Sequence, residues 1–117
     1  MRALANMAPT NVAALDTRDP NAGNASHTYG IQWGGPSDVT RVQFQHGPRG
    51  VASSTPGVFD DDLLAIIQDR LEGFQSGPFA CPENGVALDS IRAAREALGA
   101  RVAVRIAKGA LGANEKH

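Results

Sequence analysis

Three basic side chains near the end of the chain have the type and spacing to hold phosphate groups: Arg101, Arg105 and Lys108. At 100° per residue of helix, they fall within about 60° of one another and flank the apolar face of a predicted helix. Guanidinium groups in that position can enter an interface or cleft and hold a phosphate in bidentate fashion. A solvated basic edge near a helix C-terminus, favoured by the helix dipole, explains the same spacing. Spacing alone leaves both interpretations open.

Aromatic and amide side chains surround a predicted turn between two helices. Phe74 and Phe79 bracket this turn, where a ring could stack on a nucleobase for about 1–3 kcal/mol or cap the core between the helices. Asn84 falls in the first turn of the second helix, near backbone N–H groups that favour anions. It could hydrogen-bond a ribose or a base edge, or it could cap the helix. Arg49 follows Gly47-Pro48 at another turn and alone indicates no function.

The sequence predicts no catalytic group, metal site or cofactor. The single cysteine, Cys81, excludes an intrachain disulfide and a cysteine-based metal cage from one chain. His27, His46 and His117 are dispersed, and no spacing of His, Asp and Glu is typical of a metal site. The acidic run Asp60–Asp62 is typical of helix capping.

Composition limits the class of protein. A chain of 117 residues is one domain at most. The net charge of -1 argues against a DNA-binding protein, and no apolar run approaches the length of a membrane span. The N-terminus lacks the apolar region of a secretory signal, so we expect a cytoplasmic protein. Residues 1–26, without an apolar period, are predicted to be a flexible arm, and residues 27–117 a single domain.

The predicted elements that position these side chains are a small sheet and a helical hairpin. Alternation at Tyr29, Ile31 and Trp33 predicts one strand, and residues 40–46 are predicted to form a second. Residues 49–52 could return as a short third strand, so two or three strands are expected between about residues 28 and 52. Helices are predicted at about 60–75, capped by Asp60 or Asp61, and at about 82–108. Their predicted apolar faces are Leu63, Leu64, Ile67, Leu71 and Phe74 on the first, and Ala87, Ile91, Ala94, Leu98 and Val102 on the second.

The predicted fold class is therefore α+β, with a small antiparallel β-hairpin or sheet followed by an antiparallel two-helix hairpin. About 90 residues remain to build the core once the arm is excluded, and such small cores are commonly supplemented by self-association. We therefore expect an oligomer.

Several segments together resemble the phage Thoeris anti-defence sponge family. Phe44-Gln-His-Gly-Pro48 resembles the Phe-Gln-Asn-Gly-Pro turn of that family, and residues 63–75 and 77–84 resemble its two-helix segment. The resemblance runs from about Arg41 to Gly109 and is most specific between Gly73 and Asn84. It implies a fold shared with phage anti-CBASS sponges and homo-oligomers, dimers and hexamers among them. These proteins bind host immune signals without cleaving them. The signals are cyclised ADP-ribose isomers and, in some members, cyclic di- or trinucleotides at a separate site.

Carried over by position, the resemblance implies a role for each candidate residue. Phe74 would stack on the adenine, and Asn84 would hydrogen-bond the ligand. Arg101 and Arg105 would hold the pyrophosphate across a dimer interface, and Arg49 would approach from its turn.

The chain also departs from the family pattern. Gln45 and His46 belong to the part associated with the second, cyclic-oligonucleotide site, where His46 replaces the usual Asn. Pro82 stands where the family commonly has Arg. The resemblance therefore supports the cyclised ADP-ribose site better than the second site.

The resulting hypothesis is a phage-encoded sponge, not an enzyme, that acts in the cytoplasm of the infected bacterial host. It would sequester a cyclic nucleotide signal and so inhibit Thoeris- or CBASS-type immunity. One alternative is a structural or protein-binding helical hairpin whose arginines contact acidic partners. Another is a signal-degrading enzyme, for which Glu83 and Asp89 are the only candidate acids or bases and lack an evident partner.

Overall fold

The structure, a computed structural model, describes residues 1–107, with side chains described as far as residue 104. The chain divides into two compact units, Met1–Val58 and the described residues from Phe59 onward. A single domain covering residues 27–117 was predicted, whereas the division falls just before the first helix.

The first unit is an antiparallel β-meander with the strand order β1-β2-β3-β4. The strands are β1 (Arg2–Leu4), β2 (Asn11–Ala14), β3 (Thr28–Gln32) and β4 (Val39–Gln43). With the helical hairpin that follows, this sheet confirms the predicted α+β class.

The N-terminal segment forms two strands where an arm without regular structure was expected. Ala14, which is fully buried, pairs with Tyr29 across the sheet, and Val12 pairs with Ile31. At 3 and 4 residues, β1 and β2 are too short for an alternating pattern to stand out. Gly30 on β3 leaves room for the Leu15 side chain, since a Cβ at Gly30 would lie 3.3 Å from a methyl carbon of Leu15. Small residues thus form contacts that a search for large apolar side chains overlooks.

The chain after β4 forms bridges and turns instead of a further strand. β4 ends at Gln43, short of the predicted His46, and Phe44 and His46 continue only as single bridges to Val58 and Thr55. The strand predicted at residues 49–52 is replaced by a turn. Gly47 and Gly50 have φ values of 94° and 77°, which glycine adopts readily and which reverse the chain here.

The second unit is an antiparallel helical hairpin of α1 (Asp60–Gln75) and α2 (Pro82–Ala107). Helix α1 has the predicted bounds and α2 begins at the predicted residue, while the predicted end of α2 at residue 108 lies outside the described residues. The predicted capping residue was wrong, because Asp62 and not Asp60 or Asp61 closes the first turn. The Asp62 carboxylate accepts the Phe59 N–H at 2.8 Å, and the Asp62 N–H donates to the Phe59 carbonyl at 3.0 Å.

Half-buried positions along both helices recur every three or four residues and form the seam between them. On α1 these include Asp61, Leu64, Gln68, Leu71 and Gln75, and on α2 they include Asn84, Leu88, Ile91, Arg95 and Leu98. Leu88, at 6% exposure, is the one apolar residue of this unit that is buried in the described chain. The predicted faces were therefore partly wrong, since they omitted Leu88 and included Ile67 and Ala94, which are exposed.

Much of the apolar surface of the hairpin remains uncovered in a single chain. Ile66 is 57% exposed, Val104 50% and Val102 37%. Among the described residues, neither helix combines the length and the apolar character needed to cross a bilayer.

Candidate ligand-binding residues

Phe74 lies near the end of α1 in an aromatic cluster at the hairpin turn. The Phe79 ring meets it edge-on, with ring centroids 6.3 Å apart and an interplanar angle of 88°. The Arg70 guanidinium carbon lies 5.3 Å from the Phe74 ring centroid, within cation–π range. Phe79 is 72% exposed and Phe74 is 36% exposed. Phe79 therefore does not cap the core, and both rings are accessible at the turn.

The turn itself is held by side-chain amides. The Gln75 amide accepts the Cys81 N–H at 2.9 Å and donates to the Cys81 carbonyl at 3.0 Å. Asn84, in the first turn of α2, donates to the Phe79 carbonyl at 3.4 Å. These bonds fix the backbone between the helices, so the aromatic cluster is positioned before any ligand arrives. Sequence reasoning singled out Asn84 but missed the roles of Gln75 and Arg70, although both lie within the segment that resembles the family, because residue type and spacing alone indicated no contact for them.

The basic residues predicted to hold phosphate lie at the opposite end of α2. Arg101 is exposed on that helix. Arg105 falls within α2, but its side chain and all of Lys108 lie outside the described residues. At a rise of about 1.5 Å per residue, Arg101 is about 26 Å along the helix axis from Asn84. One chain therefore does not bring the turn residues and the predicted phosphate clamp together.

A polar network crosses the middle of the hairpin. The Arg95 guanidinium forms a bidentate pair with the Asp61 carboxylate at 2.7 and 3.1 Å and donates to the Gln68 side-chain oxygen at 2.8 Å. The hydrogen bond from Arg95 holds the pKa of Asp61 below its usual value. Arg92 donates one hydrogen bond to the Glu72 carboxylate at 3.0 Å. Because both arginines are already paired with carboxylates, this region offers little spare positive charge for a phosphate.

The second-site candidates Gln45 and His46 belong to the sheet unit, and the side chain of Gln45 bonds within its own loop. The Gln45 amide donates to the Gly47 carbonyl at 3.1 Å and accepts the Gly57 N–H at 3.3 Å. Arg49 is exposed in the turn that follows.

The histidines, predicted to be dispersed, include a pair that the fold brings together. The rings of His27 and His46 stack with centroids 4.1 Å apart and an interplanar angle of 8°. His46 Nε2 lies 2.9 Å from Asp19 Oδ2, and burial lowers the pKa of His27, which favours its neutral ring. Asp16, His27 and His46 each offer one atom that could bind a metal, and these three atoms lie within 4.8 Å of one another. The expectation that the histidines are dispersed was therefore wrong for His27 and His46.

The cause of that error is the distance along the sequence. His27 and His46 are joined by the pairing of β3 with β4, in which Thr28 lies opposite Gln43. The Phe44 N–H donates to the His27 carbonyl at 2.8 Å, which extends this pairing to the histidine itself. Strand pairing brings together residues that are far apart in the sequence, so motifs based on short spacings cannot predict this contact.

These features define an α+β protein with a sheet unit, a two-helix hairpin and exposed aromatic and basic residues at opposite ends of the hairpin. Residues 37–103 match the family model described as Acb2/Tad1, hairpin domain. The chain is also 37% identical over 78 residues to Thoeris anti-defense 1 of Bacillus phage SBSphiJ7. That match covers 67% of this chain and 54% of the relative, so the chain spans about half the length of the relative. The chain belongs to the Acb2/Tad1 hairpin-domain family, the anti-defence sponge family that its sequence resembles.

Proposed function

We propose that this protein is a phage anti-defence sponge that binds a cyclised ADP-ribose signal and sequesters it without cleavage in the cytoplasm of the infected host. Membership of the Acb2/Tad1 hairpin-domain family and the name of the phage relative support this proposal. The structural observation that carries it is the accessible Phe74 ring, held at a turn that side-chain amides fix in place.

The aromatic cluster suits a base and a phosphate that are joined in one molecule. Phe74 offers a ring on which an adenine can stack, an interaction worth about 1–3 kcal/mol. Arg70 lies 5.3 Å from the same ring and adds a guanidinium within reach of a phosphate attached to that base. Asn84, in the first turn of α2, adds a side-chain amide. We therefore add Arg70 to the residues predicted to touch the ligand.

The complete site requires two copies of the chain. Arg101 lies about 26 Å along α2 from Asn84, too far for one small cyclic nucleotide to touch both. A second copy packed against the hairpin would bring its own Arg101 and Arg105 towards the Phe74 end of the first. The exposed apolar side chains Ile66, Val102 and Val104 give such a contact an apolar surface to bury. A homo-oligomer, a dimer or a hexamer, is thus part of the proposal.

The environment of the acidic residues nearest the turn supports binding of the ligand without cleavage. Asp89 lies 3.7 Å from Arg92 in an ion pair. Glu83 sits in the first turn of α2, where the helix dipole favours its negative charge. Each carboxylate has a structural role, which supports sequestration over cleavage. A nanomolar dissociation constant corresponds to about -12 kcal/mol, within reach of a stacked base and several guanidinium–phosphate pairs.

A second site for cyclic di- or trinucleotides at Gln45 and His46, with Arg49 nearby, is the lesser part of the proposal. A ligand there would have to replace the bonds that Gln45 makes to Gly47 and Gly57 and that His46 makes to Asp19. Cyclised ADP-ribose is therefore the signal we propose first.

Isothermal titration with cyclised ADP-ribose isomers and with cyclic di- and trinucleotides tests the proposal. We expect saturable binding of a cyclised ADP-ribose, with an affinity that falls when Arg70 is replaced by alanine. If no member of the panel binds, the hairpin is a structural or protein-binding element, and the sponge proposal is wrong.

A further inference from the structure

We propose that Asp16, His27 and His46 form a binding site for a divalent transition-metal ion, Zn²⁺ in particular, within the sheet unit. The proposal does not rest on the cyclised ADP-ribose site at Phe74 and Arg70, which lie outside Met1–Val58, and it shares only His46 with the second nucleotide site proposed above. Its basis is the placement of the three side chains, one unpartnered buried nitrogen and a carboxylate that can orient one of the rings.

The meander places all three residues at the same end of neighbouring strands. Asp16 follows β2, His27 immediately precedes β3, and His46 follows β4. In an antiparallel meander, the end of β2, the start of β3 and the end of β4 lie side by side, so these three positions meet. The Leu15 N–H donates to the Thr28 carbonyl at 2.8 Å, which secures the approach of the Asp16 segment to β3.

His27 carries a buried nitrogen that no group in the described chain satisfies. The residue is only 9% exposed, and its Nδ1 atom has no hydrogen-bond partner. A buried polar atom left without a partner destabilises the folded chain. A metal ion coordinated by the nitrogen lone pair would remove that destabilisation.

The neighbouring atoms are the ligands that zinc prefers. Neutral imidazole nitrogens and carboxylate oxygens bind Zn²⁺, and three protein ligands leave a fourth position open for water or another ligand. The ligand atoms of Asp16, His27 and His46 already lie within 4.8 Å of one another. Asp16 is held in place because its carboxylate accepts the N–H groups of His27 and Thr28 at 3.0–3.1 Å. A carboxylate has further lone pairs for a metal.

Asp19 can orient His46 as a metal ligand. Its carboxylate lies 2.9 Å from His46 Nε2, an arrangement that leaves Nδ1 of the ring for the metal. Carboxylates that hold the second nitrogen of a metal-binding histidine fix the tautomer and the ring orientation. Asp19 thus has a role at the site without being one of the three ligands.

Metal binding requires one movement. An imidazole binds a metal in the plane of its ring, and two stacked parallel rings cannot share one ion. The His46 and Asp19 side chains are 35% and 32% exposed, so the pair has room to rotate out of the stack together, whereas His27 is enclosed.

Zn²⁺ titration of the full chain after removal of metals with a chelator tests this inference. We expect one equivalent to bind per chain and the unfolding temperature to rise, since a ligand that binds only the native state stabilises it. Co²⁺, as a spectroscopic substitute, should give absorption bands of a four-coordinate site with nitrogen and oxygen ligands. His46→Asn should weaken Zn²⁺ binding at least tenfold.

Two matched controls separate this site from other metal-binding groups. His117→Asn and Cys81→Ser should leave the Zn²⁺ affinity unchanged. A second site variant, Asp16→Asn, should also lose Zn²⁺ affinity, and circular dichroism of each variant reports whether the fold is kept. If the wild-type chain does not bind Zn²⁺, or if a folded His46→Asn variant binds as tightly as wild type, the inference is wrong. Loss of binding in His117→Asn or Cys81→Ser would also overturn it.

Discussion

At the scale of single residues, Phe74 illustrates how one side chain joins structure to proposed function. It ends an apolar row on α1, yet 36% of it remains exposed beside Phe79 and Arg70. A ring placed mainly for packing would be enclosed by the second helix. Its exposure, together with the guanidinium beside it, is typical of a surface that stacks on a base.

Replacing this ring tests the stacking role. Phe74→Leu should weaken cyclised ADP-ribose binding by about 1–3 kcal/mol, because the aromatic stacking surface is lost. Its unfolding temperature should change little, since the side chain is partly exposed. Titration calorimetry and thermal melting measure the two effects. A large loss of stability with unchanged affinity would return Phe74 to a packing role.

The arginines near the end of α2 have a matched control on the same helix. Arg101→Ala and Arg105→Ala should each weaken ligand binding by about 1.5–3 kcal/mol, as expected for charge-assisted hydrogen bonds to phosphate. Arg92→Ala removes an equal charge that is paired with Glu72 and should leave the affinity unchanged. Equal losses in all three variants would indicate a general electrostatic effect and contradict a specific clamp.

At the scale of elements, the helices were predictable and much of the sheet was not. Both helices carry periodic apolar residues over several turns, and Pro82 marks the start of α2, so their bounds follow from the sequence. The N-terminal strands are short and small in side-chain volume, so they carry little signal. The seam between the helices was predicted only in part, because the polar residues Asp61, Gln68 and Arg95 occupy positions that a search for apolar residues rejects.

The placement of the candidate site residues could also be predicted only in part. A family motif located Phe74 and Asn84 correctly at the hairpin turn, but their roles toward a ligand stay predictions. The contact between His27 and His46 could not be predicted, since it depends on the register of β3 with β4.

The Asp61–Arg95 pair makes the stability of the helical hairpin depend on pH. The pKa of Asp61 is lower in the folded chain, so the pair stabilises the fold above the ordinary aspartate pKa, about 3.9. This contribution is lost as the pH falls below about 4 and protonates the carboxylate. Asp61→Asn should reduce the acid-induced loss of stability. Urea unfolding followed by circular dichroism above and below this pH measures the difference, and identical pH profiles would contradict the assigned role.

The two N-terminal strands give a further test at this scale. Deleting residues 1–26 removes the partner of β3 and leaves the edge of that strand unpaired. We expect the truncated chain to unfold at a lower temperature and to aggregate more readily. Analytical ultracentrifugation and thermal melting measure both. A truncated chain with unchanged stability and oligomer size would show that β1 and β2 are dispensable.

At the scale of the whole molecule, our proposal places the complete site between copies of the chain. This requirement allows complementation between two defective proteins. Phe74→Leu and the double variant Arg101→Ala/Arg105→Ala should each bind poorly alone. When the two are co-expressed with different tags and the mixed oligomer is purified, one class of interface combines an intact ring with intact arginines. That oligomer should recover tight binding at a fraction of its sites. No recovery in a confirmed mixed oligomer would contradict a site that combines Phe74 of one copy with Arg101 and Arg105 of another.

The most direct test of the central claim is to recover the ligand after binding. The protein is saturated with cyclised ADP-ribose, freed of excess ligand, heated to unfold it, and the released small molecule is identified by chromatography and mass spectrometry. Sequestration predicts that the bound ligand returns chemically unchanged in stoichiometric amount. A linear or hydrolysed product, formed in wild type but not in a binding-defective Phe74→Leu control, would contradict sequestration and show that the protein is an enzyme.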